Sequence, residues 1–236
     1  MSSVLLVLLV AAAANTRPAI EAMRPALERV AGERVDVRYG ATGTLARQIE
    51  NGAPFDLFLS ADEETPAQLL AAGLLEKPTP CYAVGTLVLV RARDAGFAVP
   101  ARLDVDSGKS FSLLPFRHLA VASSKTAPYG RAARDVMTRL GIKASVSERV
   151  VVAENVELAL SFVRSGNAEL GFVSASSVMG SELTAVPIDE SLYRPIRQYA
   201  GVVAASNRSG AARRVLTYLL SPEARTAWKR FGYRSP

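Results

Sequence analysis

The sequence predicts an α/β protein with mainly parallel sheets, on the basis of three observations. Short apolar segments alternate with segments whose apolar residues recur at helical spacing. The longest apolar run, Val4–Ala14, is followed directly by a helix signal. Four strand-like segments also end in a turn of small or polar residues that opens a helix. Strands that alternate with helices in this way are typical of parallel sheets flanked by helices.

The first apolar run, Val4–Ala14, has three interpretations. It is about half as long as a segment that crosses a bilayer. It has the length and small-residue end of a signal-peptide core, but no Lys or Arg precedes it. It also suits a buried parallel strand, which is apolar on both faces. The following residues favour the strand, since Asn15 can cap a helix and Pro18 suits its first turn. We therefore interpret Val4–Ala14 as a strand, and on that interpretation the sequence shows no evident export signal.

The remaining elements follow in alternation. The predicted strands are Val35–Tyr39, Asp56–Ser60, Thr86–Arg91, Leu119–Ala122, Arg149–Ala153, Leu170–Val173 and Val202–Ala205. The predicted helices are Thr42–Asn51, Pro66–Ala72, Tyr129–Leu140, Val156–Arg164, Ala211–Leu220 and Pro222–Phe231. Two irregular stretches, Glu76–Gly85 and Glu190–Gly201, interrupt the alternation. They suit either two crossings between lobes or two ordinary surface loops.

Composition excludes several classes of protein. Apolar residues make up 49% of the 236 residues, so long disorder is excluded. One cysteine and one histidine exclude a disulfide framework and a zinc site of the usual Cys/His kind. The net charge of +6 comes from scattered basic residues, which does not indicate a nucleic-acid partner.

Catalytic motifs are also missing from the sequence. It contains no phosphate-binding loop, no dinucleotide fingerprint and no nucleophile elbow. His118 precedes a predicted strand, where a lone histidine is more often structural than catalytic. Cys81 has no histidine near it in sequence to activate it, so we interpret it as structural too. The sequence therefore predicts no catalytic residue and favours a protein that is not an enzyme.

Four strand-to-helix junctions stand out instead. They are Ala14-Asn15, Ala41-Thr42-Gly43, Ala127-Pro128-Tyr129-Gly130 and Glu154-Asn155-Val156. Helix N-termini leave backbone N–H groups unpaired and carry a partial positive charge, so several of them together would form an anion site. The alternative is that each junction caps only its own helix, as in any α/β protein.

Six segments, in order along nearly the whole chain, resemble the periplasmic molybdate-binding proteins, the solute receptors of molybdate ABC importers. The most specific is LARQIENGAPFDLFLSAD, and the next is ENV followed by SGNAELGFV. The others are AAAANTRPAIEAM, YAVGTLVLV, LAVASSKTAPYGRAA and SPEARTAWKRFGYR.

The resemblance implies the two-lobed type II periplasmic binding protein fold, with lobe I formed by residues 1–82 and 199–236 and lobe II by residues 83–198. The ligand, molybdate or tungstate, would lie in a cleft that closes by a hinge motion. Molybdenum would be bound as an oxyanion, with no cofactor and no metal ligated by side chains. The protein would be periplasmic and monomeric, and its partner would be a membrane permease.

The resemblance also implies the residues that contact the anion. Carried over motif by motif, they are Ala14, Asn15, Thr42, Tyr129, Val156 and Ser174. Asn15 and Thr42 would offer side-chain donors, whereas Tyr129 and Val156 would offer backbone N–H groups. Ser174 stands where some members have a longer tyrosine, so its contact stays open.

Other departures leave the ligand itself open. Ser123-Ser124 replaces an Asn-Pro or Asp-Pro pair, Gly85 replaces a common asparagine, and Thr42 replaces a serine. The main alternative is therefore a receptor for another anion, such as sulfate or a small organic acid. An enzyme on this fold, or the sensing domain of a transcription regulator, would need a nucleophile or a DNA-binding segment that the sequence does not show.

Overall fold

The chain divides into two compact units in the computed structural model, which describes residues 7–236. Unit 1 comprises Met1–Val84 and Arg197–Pro236, and unit 2 comprises Gly85–Ile196. The chain therefore passes from one unit to the other twice. Residues 4–6 of the predicted first strand lie outside the described residues, and the strand is described from Val7.

Unit 1 contains a five-stranded mixed sheet with the strand order β2-β1-β3-β10-β4. Its strands are β1 (Val7–Ala13), β2 (Arg34–Gly40), β3 (Leu57–Leu59), β4 (Cys81–Gly85) and β10 (Ile196–Val202). Its helices are α1 (Arg17–Ala31), α2 (Thr42–Glu50), α3 (Glu64–Ala71), α9 (Ser209–Leu219) and α10 (Pro222–Arg230). Strand β1 runs parallel to β2 and β3, whereas β10 runs antiparallel to β3.

Both faces of the unit 1 sheet are buried because β1 is apolar at every position. Leu8, Val10 and Ala12 enter a core shared with α1, α9 and α10. Ala11 enters a second core with α2 and α3 on the other face. This alternation is the period of two that a strand imposes on its side chains.

Unit 2 contains a second five-stranded mixed sheet with the order β7-β6-β8-β5-β9. Its strands are β5 (Leu87–Arg91), β6 (Leu119–Ala122), β7 (Val150–Ala153), β8 (Leu170–Ser174) and β9 (Thr184–Pro187). Its helices are α4 (Gly108–Ser112), α5 (Pro128–Arg139), α6 (Lys143–Val146), α7 (Val156–Arg164) and α8 (Ala175–Val178). Strand β6 runs parallel to β7 and β8, whereas β5 runs antiparallel to β8 and β9.

The two stretches predicted to be irregular each contain a strand, β4 and β10. The strand predicted over Val202–Ala205 is misplaced, because β10 ends at Val202, Val203 forms only an isolated bridge with Leu75, and a turn begins at Ala204. Polar residues disguise β10: Arg197, Gln198 and Tyr199 interrupt its apolar pattern, although Gln198 is fully buried. Strand β9 and the short helices α4, α6 and α8 were also not predicted. Among residues 7–236, no helix has both the length and the apolar character needed to cross a bilayer.

Candidate functional site

The first junction lies at the carboxyl end of β1. A short 3-10 turn over Ala14–Thr16 precedes α1, and all three of its residues are buried. Asn15 does not cap α1, contrary to the prediction. Its Nδ2 instead donates to Gln198 Oε1 at 3.0 Å and to Tyr233 Oη at 2.8 Å, and Tyr233 Oη donates back to the Asn15 carbonyl at 2.8 Å. The side-chain amide nitrogen of Asn15 is thus engaged within unit 1 in this arrangement.

The second junction lies beside the first. Ala13 of β1 pairs with Gly40 of β2, so the two strands end at the same level of the sheet. Thr42 is the first residue of α2 and is 1% exposed. Its Oγ1 accepts a hydrogen bond from the Ala61 N–H at 3.1 Å, so the hydroxyl keeps its own hydrogen for donation. Unit 1 therefore brings Asn15 and Thr42 to one edge of its sheet.

The third junction joins β6 to α5 in unit 2. Pro128 is the first residue of α5, and Tyr129 follows it in the first turn, where the helix supplies no acceptor for backbone N–H groups. Gly130 lies against the end of β6 so closely that a Cβ there would be 2.3 Å from the Ala122 carbonyl oxygen. Glycine thus lets the N-terminus of α5 reach the carboxyl end of the strand.

The fourth junction is adjacent to the third, because Ala122 of β6 pairs with Ala153 of β7. Asn155 caps α7, and its Oδ1 accepts from the N–H groups of Glu157 at 3.1 Å and of Leu158 at 3.0 Å. The cap therefore serves the second and third residues of the helix. It does not use the N–H of Val156, the first helical residue.

Ser174 lies at the end of β8 and is 1% exposed. Its Oγ donates to Tyr129 Oη at 3.3 Å and lies 2.6 Å from Ser176 Oγ. The structure thus places Ser174 against the side chain of the residue whose N–H is predicted to bind the anion. Unit 2 brings Tyr129 and Ser174 into contact, and Val156 opens the helix at the neighbouring junction.

The histidine and the cysteine considered in the sequence lie outside these four junctions. His118 is exposed, and its backbone N–H donates to Glu169 Oε2 at 2.8 Å. Cys81 Sγ lies 3.5 Å from the Ala83 carbonyl oxygen, and burial raises the pKa of the Cys81 thiol. Among residues 7–236, no group of three or more His, Cys, Asp or Glu side chains could hold a metal ion.

Comparison with known proteins gives the family. The profile of the bacterial extracellular solute-binding proteins matches residues 8–234. The chain belongs to this family. It is 38% identical to the molybdate-binding protein ModA of Azotobacter vinelandii over 231 residues, which cover 95% of this chain and 88% of that protein. It is 36% identical to ModA of Rhodobacter capsulatus over 226 residues, covering 94% and 86% of the two chains.

A solved structure agrees with the sequence comparison. The periplasmic molybdate-binding protein of Azotobacter vinelandii matches 97% of this chain and 99% of its own with a TM-score of 0.86, at 29% identity. The predicted resemblance and the predicted fold of the periplasmic binding proteins are confirmed.

Sequence reasoning missed Gln198 and Tyr233, which accept hydrogen bonds from Asn15 Nδ2. Gln198 is a single polar residue in a stretch that shows no clean alternation, and Tyr233 follows the last helix. Gln198 belongs to no motif, Tyr233 lies in the segment SPEARTAWKRFGYR without a role predicted for it, and both are 183 residues or more from Asn15 along the chain. They meet Asn15 only in the folded protein, Gln198 on β10 and Tyr233 in the segment after α10.

Proposed function

We propose that this protein captures molybdate reversibly and delivers it to the membrane permease of an ABC importer. The proposal rests on one observation: in each unit, two strand-to-helix junctions lie side by side at the carboxyl ends of register-paired strands. Ligands of open α/β sheets bind at such strand ends, and helix N-termini favour anions. The two curated relatives described above are named as molybdate-binding proteins, which supports molybdate as the anion.

The donors of the proposed site are neutral. In unit 1 they are the backbone N–H groups of the turn that holds Ala14 and Asn15, together with the Thr42 hydroxyl. In unit 2 they are the N–H groups of Tyr129 and Val156. Because molybdate has only acceptor oxygens, a site of neutral donors satisfies it through charge-assisted hydrogen bonds without a counterion.

Size sets the selectivity that we propose. Molybdate and tungstate are nearly equal in size, whereas sulfate is smaller, so a rigid ring of donors around sulfate would leave some donors without an acceptor. Phosphate carries a proton near neutral pH and needs an acceptor in the site. The protein therefore binds tungstate as well as molybdate and discriminates against sulfate and phosphate.

The proposed role needs no catalysis. The protein acts as a periplasmic monomer that changes between an unliganded and a liganded state, and the anion stabilises the liganded state by its higher affinity for it. No cofactor takes part, and the molybdenum keeps its four oxygens.

Thermal unfolding with four anions tests the proposal. At about 100 times its dissociation constant a ligand adds roughly 2.7 kcal/mol, or about 5–11 °C in Tm for a chain of this size. We expect this rise with molybdate and tungstate and none with sulfate or phosphate. A rise with sulfate but not molybdate would instead support the receptor for another anion, and no rise with any of them would refute an oxyanion receptor of this kind.

Substitutions then test the residues. Thr42→Ala should weaken molybdate binding measured by titration calorimetry, and Asn15→Ala should do so by loosening the turn. An exposed residue of the same unit, Gln48→Ala on α2, serves as the control and should bind as the unaltered protein does. Unchanged affinity in both Thr42→Ala and Asn15→Ala would refute the proposed site in unit 1.

A further inference from the structure

Gln198 is a buried amide beside the candidate site that is only half satisfied. Its side chain is 0% exposed, and its Oε1 accepts from Asn15 Nδ2 at 3.0 Å and from Tyr82 Oη at 2.9 Å. Its Nε2 is buried and has no hydrogen-bond partner among residues 7–236. Buried polar atoms are nearly always paired, so this exception calls for an explanation.

The orientation of the amide is determined by Asn15. If the Gln198 amide were turned over, Nε2 would face Asn15 Nδ2, and two donor groups would meet with no acceptor between them. The observed orientation gives the acceptor to Asn15 and leaves the donor unsatisfied. A methionine would fill a similar volume without a buried unpaired N–H group, so packing alone does not account for glutamine at this position.

Gln198 also connects three separate segments of unit 1. Asn15 belongs to the turn after β1, Tyr82 lies on β4 just before the chain leaves unit 1, and Gln198 lies on β10 just after the chain returns. One oxygen atom therefore ties the turn of the candidate site to both strands that carry the chain between the units.

We infer that Gln198 is a positioning residue for the anion site: its Oε1 holds the Asn15 amide, and through it the Ala14–Thr16 turn, in the orientation that presents the backbone N–H groups of the turn to the anion. The inference rests on the proposed oxyanion function. Because hydrogen-bonded partners behind a binding group fix its geometry, their loss weakens binding without removing any direct contact.

The test replaces the acceptor and keeps the volume. Gln198→Met should lower molybdate affinity about ten-fold or more, by analogy with the loss of an outer partner in metal sites. Val202→Ala is the matched control, since Val202 lies on the same strand and in the core of the same unit, and its hydrocarbon side chain takes no part in the hydrogen bonds of the amide network. It should lower Tm while leaving the affinity within about two-fold.

A double-mutant cycle with Asn15→Ala separates positioning from general damage. If Gln198 acts through Asn15, Gln198→Met should lose most of its effect on affinity in the Asn15→Ala background. A merely structural residue would reduce affinity by the same factor in both backgrounds, and that result would overturn the inference. If Gln198→Met does not fold, Tyr82→Phe removes one anchor of the same oxygen and enters the cycle in its place.

The two proposals fail in different ways. If the unaltered protein gives no signal with molybdate in calorimetry, the proposed function is refuted. If it binds molybdate and Gln198→Met binds equally tightly, the function stands and the positioning role of Gln198 is refuted.

Discussion

Gly130 offers the sharpest test of the site in unit 2. A Cβ at this position would lie 2.3 Å from the Ala122 carbonyl oxygen and 2.6 Å from the backbone of Ser123. Neither obstacle is a flexible side chain, and an ordinary contact begins near 3.4 Å. In Gly130→Ala the first turn of α5 must therefore move about 1 Å away from the end of β6.

That displacement should affect stability and binding separately. Overpacking of this kind costs about 1–3 kcal/mol of the free energy of unfolding, or roughly 2–12 °C in Tm. A shift of about 1 Å also breaks a hydrogen bond of normal length from the Tyr129 N–H. Because a hydrogen bond to a charged group contributes about 1.5–3 kcal/mol, molybdate affinity should fall about 10- to 150-fold.

The assay compares Gly130→Ala with Gly210→Ala by calorimetry and thermal unfolding. Gly210 also lies in the first turn of a helix, α9, but a Cβ there meets only an Arg214 nitrogen at 3.8 Å. Gly210→Ala should therefore leave affinity unchanged and raise stability by up to about 1 kcal/mol. If Gly130→Ala folds and binds molybdate as tightly as Gly210→Ala does, the third junction does not contribute to the site.

Two further predictions concern one residue in each unit. Thr42→Val keeps the shape of the side chain but removes the acceptor of the Ala61 N–H, so it should weaken molybdate binding and lower the free energy of unfolding by about 1–3 kcal/mol. Thr42→Ser keeps the hydroxyl and should retain both affinity and stability, and equal calorimetric titrations of the two variants would contradict this. Burial raises the pKa of the Glu169 carboxyl, but the hydrogen bonds that it accepts, including one from the His118 N–H, outweigh burial and hold the pKa below its usual range. Because the folded-state pKa is lowered, this carboxylate contributes stability at pH 7 that is lost as the pH falls below about 4.5 and through the folded pKa. Glu169→Gln should therefore be less stable than the unaltered protein in urea at pH 7, and the gap should narrow at pH 3.5; a constant gap would refute the assignment.

The parts of the fold that were predictable are those with one dominant local signal. The buried strand β1 is apolar at every position, and α1 begins next to Pro18 and ends just before Gly32, whose φ is +74°. The caps were less predictable, since Asn15 and Asn155 look alike in sequence and only Asn155 caps its helix. Asn15 has buried partners in competition with the helix terminus, and those partners come from distant segments.

The antiparallel strands were the hardest to predict. Strand β10 has Pro195 before it and carries Gln198, a residue type that is mostly exposed in folded proteins. Its register against β3 is determined by which strand it meets, through pairs such as Ala200 with Leu59. The candidate site divides in the same way between local and distant signals. Its strand-to-helix junctions are visible as short motifs, whereas the hydrogen bonds from Asn15 to Gln198 and Tyr233 depend on residues far away in sequence.

The split of unit 1 between the two ends of the sequence has a consequence for how the chain matures. Unit 2 is continuous and can fold as soon as it has been synthesised, whereas unit 1 must wait for β10 and the helices that follow it. Asn15 and Tyr233 are 218 residues apart, so the loop that joins them closes late. A nascent or truncated chain that stops before residue 197 leaves the edge of β3 uncovered and the turn at Asn15 without its supports. We therefore expect a chain that stops before residue 197 to lack the candidate site of unit 1.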